Sequence, residues 1–154
     1  MRPRFRPVFL AAAVLPLAAA VARADEPVRV TVVAVLASAR HAEVDPKLKD
    51  LAREVQKRDP TLTGFRLGRM TCLPLTANKK ETYPLVDEAT AEVTLLEREK
   101  PGQRTRLTIK APDVGEITYE TCCGKFFPIC TRCVTDKQEN VIMAVMVKPC
   151  PKKP

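Results

Sequence analysis

The sequence predicts an α+β domain: one amphipathic helix packed on a mainly antiparallel sheet of about six to seven strands, with a Cys-rich C-terminal segment. Three observations lead there. Residues 28–36 and 141–147 are β-branched and apolar almost throughout, as in strands buried on both faces. Between them, several short segments alternate apolar and polar residues with the period of two that marks a half-wet strand. One segment alone, residues 45–58, keeps the spacing of an amphipathic helix.

The chain opens with an export signal. Arg2, Arg4 and Arg6 precede an apolar run over residues 8–21, and Ala22-Arg23-Ala24 supplies the small-x-small pattern that a signal peptidase cuts. The run is about 14 residues long, short of the ~20 that a membrane-spanning helix needs. The expectation is therefore a signal peptide over residues 1–24, cleaved after Ala24, and no membrane span thereafter. No cysteine stands near residue 24 to take a lipid. Residues 25–148 form a single domain on this reading, and residues 149–154 a flexible Pro/Lys tail. The localisation that follows is export, to the periplasm or beyond the cell.

Four of the chain's 26 basic residues and none of its 18 acidic ones lie in the leader. The remainder carries 22 against 18, a net charge of +4, which is ordinary for a soluble surface. This balance does not point to nucleic acid, and the aromatics are too few and too scattered for a base-stacking platform. With no Trp, the core falls to Val, Leu, Ile and Ala.

The elements follow in order. The apolar run at residues 28–36 is the first strand. Asp45-Pro46 opens the helix, Asp as a favoured N-cap and Pro where a missing N–H costs nothing. Leu48, Leu51, Ala52 and Val55 form its apolar stripe, and Lys47, Lys49, Asp50, Arg53, Glu54, Lys57 and Arg58 its other face, read as solvated charge with anion binding as the lesser alternative. Asp59-Pro60 stops it, because the residue before Pro avoids helical dihedrals. Residues 65–72 alternate as a strand, Ala77 to Lys80 turn, and residues 82–86 suit an edge because Pro84 cannot donate to a ladder. Residues 91–95 and 104–109 form the best hairpin, turned at Lys100-Pro101-Gly102, with Val93, Leu95, Leu107 and Ile109 on its dry face. Residues 117–121 are another strand, and residues 141–147 the last. The first and last strands, being the most apolar, belong at or near the middle of the sheet.

Four of the six cysteines, Cys122, Cys123, Cys130 and Cys133, fall within twelve residues, with Cys72 and Cys150 apart. An even count in an oxidising compartment reads first as disulfides, and all six are candidates; fifteen pairings are possible, and the sequence does not choose among them. If the segment is an extended loop around residues 124–129, Cys122 and Cys123 face opposite sides, as do Cys130 and Cys133. The alternative is a thiolate metal site on Cys122, Cys123, Cys130 and Cys133, or a redox pair at Cys130-Thr131-Arg132-Cys133, where Arg132 would favour a thiolate. The spacing fits neither a zinc knuckle nor a helix-opening redox motif, so no metal and no cofactor is assigned. Phe126 and Phe127 are expected to pack inside this loop or onto the sheet. Exposed, they would offer a contact patch to another protein.

No phosphate-binding loop, nucleophile elbow or zinc-protease motif is present. With a single His, a Ser–His–Asp triad would have to use His41, and Ser38 is its only neighbour of that kind. Glu97, Glu99 and Glu116 read as solvated charge. No catalytic residue is assigned; whether the chain is an enzyme is left open, with the balance against it.

The apolar strand Val32-Val33-Ala34-Val35-Leu36-Ala37-Ser38, the helix start Val44-Asp45-Pro46-Lys47-Leu48-Lys49-Asp50-Leu51 and the strand Thr63-Gly64-Phe65-Arg66-Leu67 together resemble a loose group of small exported bacterial proteins of uncharacterised function. The resemblance covers residues 28–110 and implies an apolar strand, an Asp-Pro-capped helix and a run of antiparallel strands. It implies no activity, and residues 122–133 depart from the group's pattern. The function expected is that of an exported, disulfide-stabilised, non-enzymatic binding or envelope scaffold protein, with another envelope protein as its partner. The alternative is a thiolate metal-binding or thiol-disulfide redox protein.

Overall fold

The computed structural model describes residues 26–98, 104–122 and 124–149. The leader, the turn at Lys100-Pro101-Gly102, Cys123 and the tail from Cys150 onward lie outside the described residues. The element order is β1 (Val28–Ser38), one 3-10 turn (Pro46–Leu48), α1 (Lys49–Gln56), β2 (Gly64–Leu75), β3 (Lys80–Pro84), β4 (Thr90–Arg98), β5 (Thr105–Ala111), β6 (Gly115–Thr121), β7 (Phe127–Val134) and β8 (Asn140–Pro149).

The strands form two antiparallel four-stranded sheets, the first in the order β2-β1-β8-β7 and the second in the order β3-β4-β5-β6. This corrects the single sheet of six to seven strands under one helix, and so the α+β class expected from the sequence: the domain is mostly β, with eight strands and one short helix. The reason lies in β1 and β8. They are the inner strands of the first sheet and are buried on both faces. One helix can dry only one of those faces. The second sheet dries the other, so the strands between residues 80 and 121 leave the first sheet and stack on it.

Two apolar layers result. Between the sheets, Val28, Val30, Val32, Met143, Val145 and Val147 meet Tyr83, Val93, Leu95, Leu107 and Ile109. On the far side of the first sheet, Val33, Val35, Ala37, Phe65, Ile142 and Ala144 meet Leu48, Leu51, Ala52 and Val55 of the helical segment. The β4–β5 hairpin shows its expected dry face, with Val93, Leu95, Leu107 and Ile109 all buried. Its wet side forms cross-strand pairs on the outside of the second sheet. Lys80 meets Glu92 at 3.3 Å, and Arg106 donates to Glu120 at 2.6 Å. The Arg106 hydrogen bond holds the Glu120 carboxyl below its ordinary pKa.

Asp45 caps the helical segment as its sequence suggests, its Oδ1 accepting from the Lys47 N–H at 2.9 Å. Asp45→Ala is expected to cost about 1 kcal/mol; urea unfolding checks it, and no measurable loss would show that the cap does not hold this helix. The tail, too Pro-rich to pair on the sequence reading, contributes its first residue to the sheet: Lys148 and Pro149 pair with Arg29 and Val28. Pro149 is tolerated there because it closes the strand. Gly68 occupies the bulge where β2 slips one residue against Ala34 and Val35. A Cβ at Gly68 would meet the Ala34 carbonyl oxygen at 3.0 Å, a tight contact, so the close approach of the two strands favours a glycine.

One core feature is at odds with its surroundings. Tyr83 is fully buried, and its hydroxyl is the one buried side-chain polar atom among the described residues that lacks a hydrogen-bond partner. Burial raises its pKa and keeps the phenol neutral. A buried hydroxyl left unmatched costs roughly 1–3 kcal/mol. Tyr83→Phe is therefore expected to raise stability by about 1 kcal/mol. A loss of that size in denaturant unfolding would show that the hydroxyl is satisfied in solution.

Candidate functional site

β6 is the outer strand of the second sheet and β7 the outer strand of the first. The two follow each other in the chain, yet no ladder joins them among the described residues, so the sandwich is open along the seam where they face each other. The loop between them is short. Its Gly124 takes a positive φ of 89°, and the Gly124 N–H donates to the Val147 carbonyl at 2.9 Å, which ties the loop to β8.

Side chains pin the seam at both ends. Near the loop, Tyr119 of β6 stacks on Phe127 of β7, with ring centroids 3.8 Å apart and planes 15° off parallel. At the far end, the Cys133 thiol donates to Asp113 Oδ2, from the β5–β6 turn, at 3.4 Å. Two clefts open between these ends. One, of about 830 Å³, lies between the polar face of α1 and the start of β7, over Tyr119, Phe126 and Phe127. The other, of about 490 Å³, is walled by Leu62, Val114, Ile117, Ile129 and Ile142. Arg58, Phe127 and Pro128 border both. Both volumes fall in the range of small-molecule sites.

The exposed apolar side chains gather here as well. Four large ones are exposed among the described residues, and three of them, Val114 at 38%, Phe126 at 37% and Val134 at 52%, lie along the seam. The fourth, Met70, is on β2. Val114 and Val134 adjoin the Asp113–Cys133 end of the seam and Phe126 the loop end, and of the three only Val114 and Phe126 line a cleft.

The structure spreads out the residues that the sequence singled out. Cys72 sits on β2, where its sulfur accepts from Thr31 Oγ1 at 3.3 Å. Cys122 follows β6, while Cys130 and Cys133 lie on β7. The two arms of that segment belong to different sheets, and the facing of Cys123 and Cys130 considered from the sequence lies outside the described residues. Cys72, Cys122, Cys130 and Cys133 are separate thiols in this structure, and Cys123 and Cys150 fall outside the described residues. No three His, Cys, Asp or Glu side chains gather in a metal-holding group among the described residues.

At Cys133, burial and then the hydrogen bond to Asp113 push the thiol pKa up, while the Thr131 hydroxyl pulls it down. Ser38 Oγ accepts from the Arg40 N–H at 3.0 Å, and exposed His41 offers its backbone carbonyl to Thr63 Oγ1 at 2.7 Å. No hydrogen bond joins Ser38 to His41 among the described residues. Glu116 is exposed on β6; the side chain of Glu97 and the whole of Glu99 lie outside the described residues.

The sequence reading took the basic face of α1 mainly as solvated charge, with anion binding as the lesser reading, and the Phe pair as packing. Phe127 stacks on Tyr119. Phe126 is 37% exposed and lines the wider cleft together with Arg53, Lys57 and Arg58. The lesser reading of the basic face and the exposed-patch reading of the Phe pair were the signals in the sequence that pointed to this surface. No protein-family profile matches the chain, and comparison with curated proteins and with solved structures finds no match.

Proposed function

We propose that this chain is an exported, disulfide-stapled, non-enzymatic binding protein of the cell envelope, and that it binds through the β6–β7 seam. One observation carries the binding surface: two clefts at an unpaired sheet boundary, one lined by the exposed Val114 and the other by the exposed Phe126. Export rests on the leader, and the staples rest on the even cysteine count that export would expose to oxidation; because Cys72, Cys122, Cys130 and Cys133 stand apart as thiols in this structure, full oxidation requires the chain to bring at least two of them together.

An NMR screen of the processed protein against small aromatic fragments tests the surface. Shifts confined to residues 114–134 and α1 support it. Shifts confined to the β3 edge or to the charged outer face of the second sheet overturn it. Thiol titration and metal analysis of natively exported protein test the staples. No free thiols and no metal support them; four reduced thiols that lose reactivity when Zn²⁺ is added favour the metal-binding alternative instead.

A further inference from the structure

We propose that the wider cleft, between α1 and the start of β7, binds a small organic anion with a flat or alkyl body, its acid group held by Arg58 and Lys125. The inference rests on the binding reading above and names its ligand class.

Charge supplies the first argument. Six ionic groups rim the cleft: Asp50, Arg53, Glu54, Lys57, Arg58 and Lys125. Both carboxylates are already engaged, Asp50 with Arg53 at 3.5 Å and Glu54 with Lys57 at 2.6 Å. Arg58 and Lys125 form no ion pair with any described residue, and Arg58 acts on Glu54 only through its field. The rim therefore carries two more positive than negative charges, with Asp59 beside Arg58 facing the narrower cleft. An anion arriving there meets unspent attraction and displaces no existing pair.

The floor supplies the second argument. Beneath those cations lie the stacked Tyr119–Phe127 pair, the exposed Phe126 ring and Pro128. Such a surface suits rings or methylenes and gives a bare inorganic ion nothing to bury. A cleft of about 830 Å³ matches a drug-sized molecule. The cations stand on α1 and on the loop while the rings come from β6 and β7, so a ligand must carry both an acid group and an apolar body to use all of them.

The test uses two fluorescent probes of nearly the same shape. 1-Anilinonaphthalene-8-sulfonate carries a negative charge, and N-phenyl-1-naphthylamine carries none. The wild-type protein is expected to bind the sulfonate about 10-fold tighter than the amine at low ionic strength, with most of that preference lost near 0.5 M salt. In Arg58→Gln/Lys125→Gln, the preference is expected to fall to about 1 while amine binding persists. Phe126→Ala should weaken both probes. All three side chains are exposed, so the variants keep the fold. Equal binding of the two probes to the wild type, or a preference that survives in the double variant, overturns the anion class yet leaves the cleft as a binding site. If neither probe shifts the amide resonances of Tyr119, Phe126 or Phe127, the ligand class falls. The seam reading falls with it only if the fragment screen also misses residues 114–134.

Discussion

Replacing Phe65 with alanine is expected to lower the free energy of unfolding by about 4 kcal/mol, the largest single loss in this molecule. Phe65 is fully buried in the layer between the first sheet and the helix. Its backbone also carries the connection into α1: its N–H donates to the Glu43 carbonyl and its carbonyl accepts from the Asp45 N–H, both at 2.9 Å. The ring thus supports both the apolar layer and the segment that delivers the helix cap. Truncation opens a cavity beside Leu48, Leu51 and Val55. A helix of only eight residues has little stability of its own and depends on that packing. Urea unfolding should show the loss, and limited proteolysis should cut first around residues 45–58. A loss below about 1.5 kcal/mol would mean that the helix layer is not held by this ring.

The second large effect concerns Glu139. This carboxylate is 9% exposed and accepts from Arg66 Nε and Nη2 at 2.6 and 2.5 Å, in a two-pronged pair between the β7–β8 turn and β2. The hydrogen bonds from Arg66 hold its pKa down. Burial works the other way, and the charges of Arg66, Lys137 and His41 add to the lowering. A carboxyl whose folded pKa is depressed stabilises the fold above its unfolded pKa and loses that contribution as pH falls through the folded value. Glu139→Gln is therefore expected to cost about 2 kcal/mol at neutral pH, at the modest end because Arg66 is half exposed. The gap between variant and wild type should close as pH drops below the ordinary carboxylate value of 4.5. Urea midpoints at pH 7 and at successively more acid pH decide it. A gap that stays constant with pH would show that the pair's charge contributes nothing.

Much of this fold could be read from local pattern. The continuous apolar runs placed β1 and β8 in the middle of a sheet, and the Asp45-Pro46 start and the β4–β5 alternation were clear for the same reason: each is a property of neighbouring residues. The division into two sheets was not legible, because alternation says which face of a strand is dry and not which strand dries it. β7 was hidden for a different reason. Only its first half faces the core, and the alternating Cys130, Thr131, Arg132 and Cys133 that follow read as a chemical motif before they read as a strand. The cleft joins the polar face of α1 to residues more than sixty positions later, and no short-range pattern carries that distance.

The pairing of β1 with β8 has a kinetic consequence. Val28 lies opposite Pro149 and Ala37 opposite Asn140, so the central ladder links the two ends of the chain across more than a hundred residues. Contacts so remote in sequence close slowly. A polypeptide emerging amino end first could pair β1 with β2 early, but the other edge of β1 would stay open until β8 appeared. Until then that open edge is a row of unpaired backbone groups on which a second chain could add a strand.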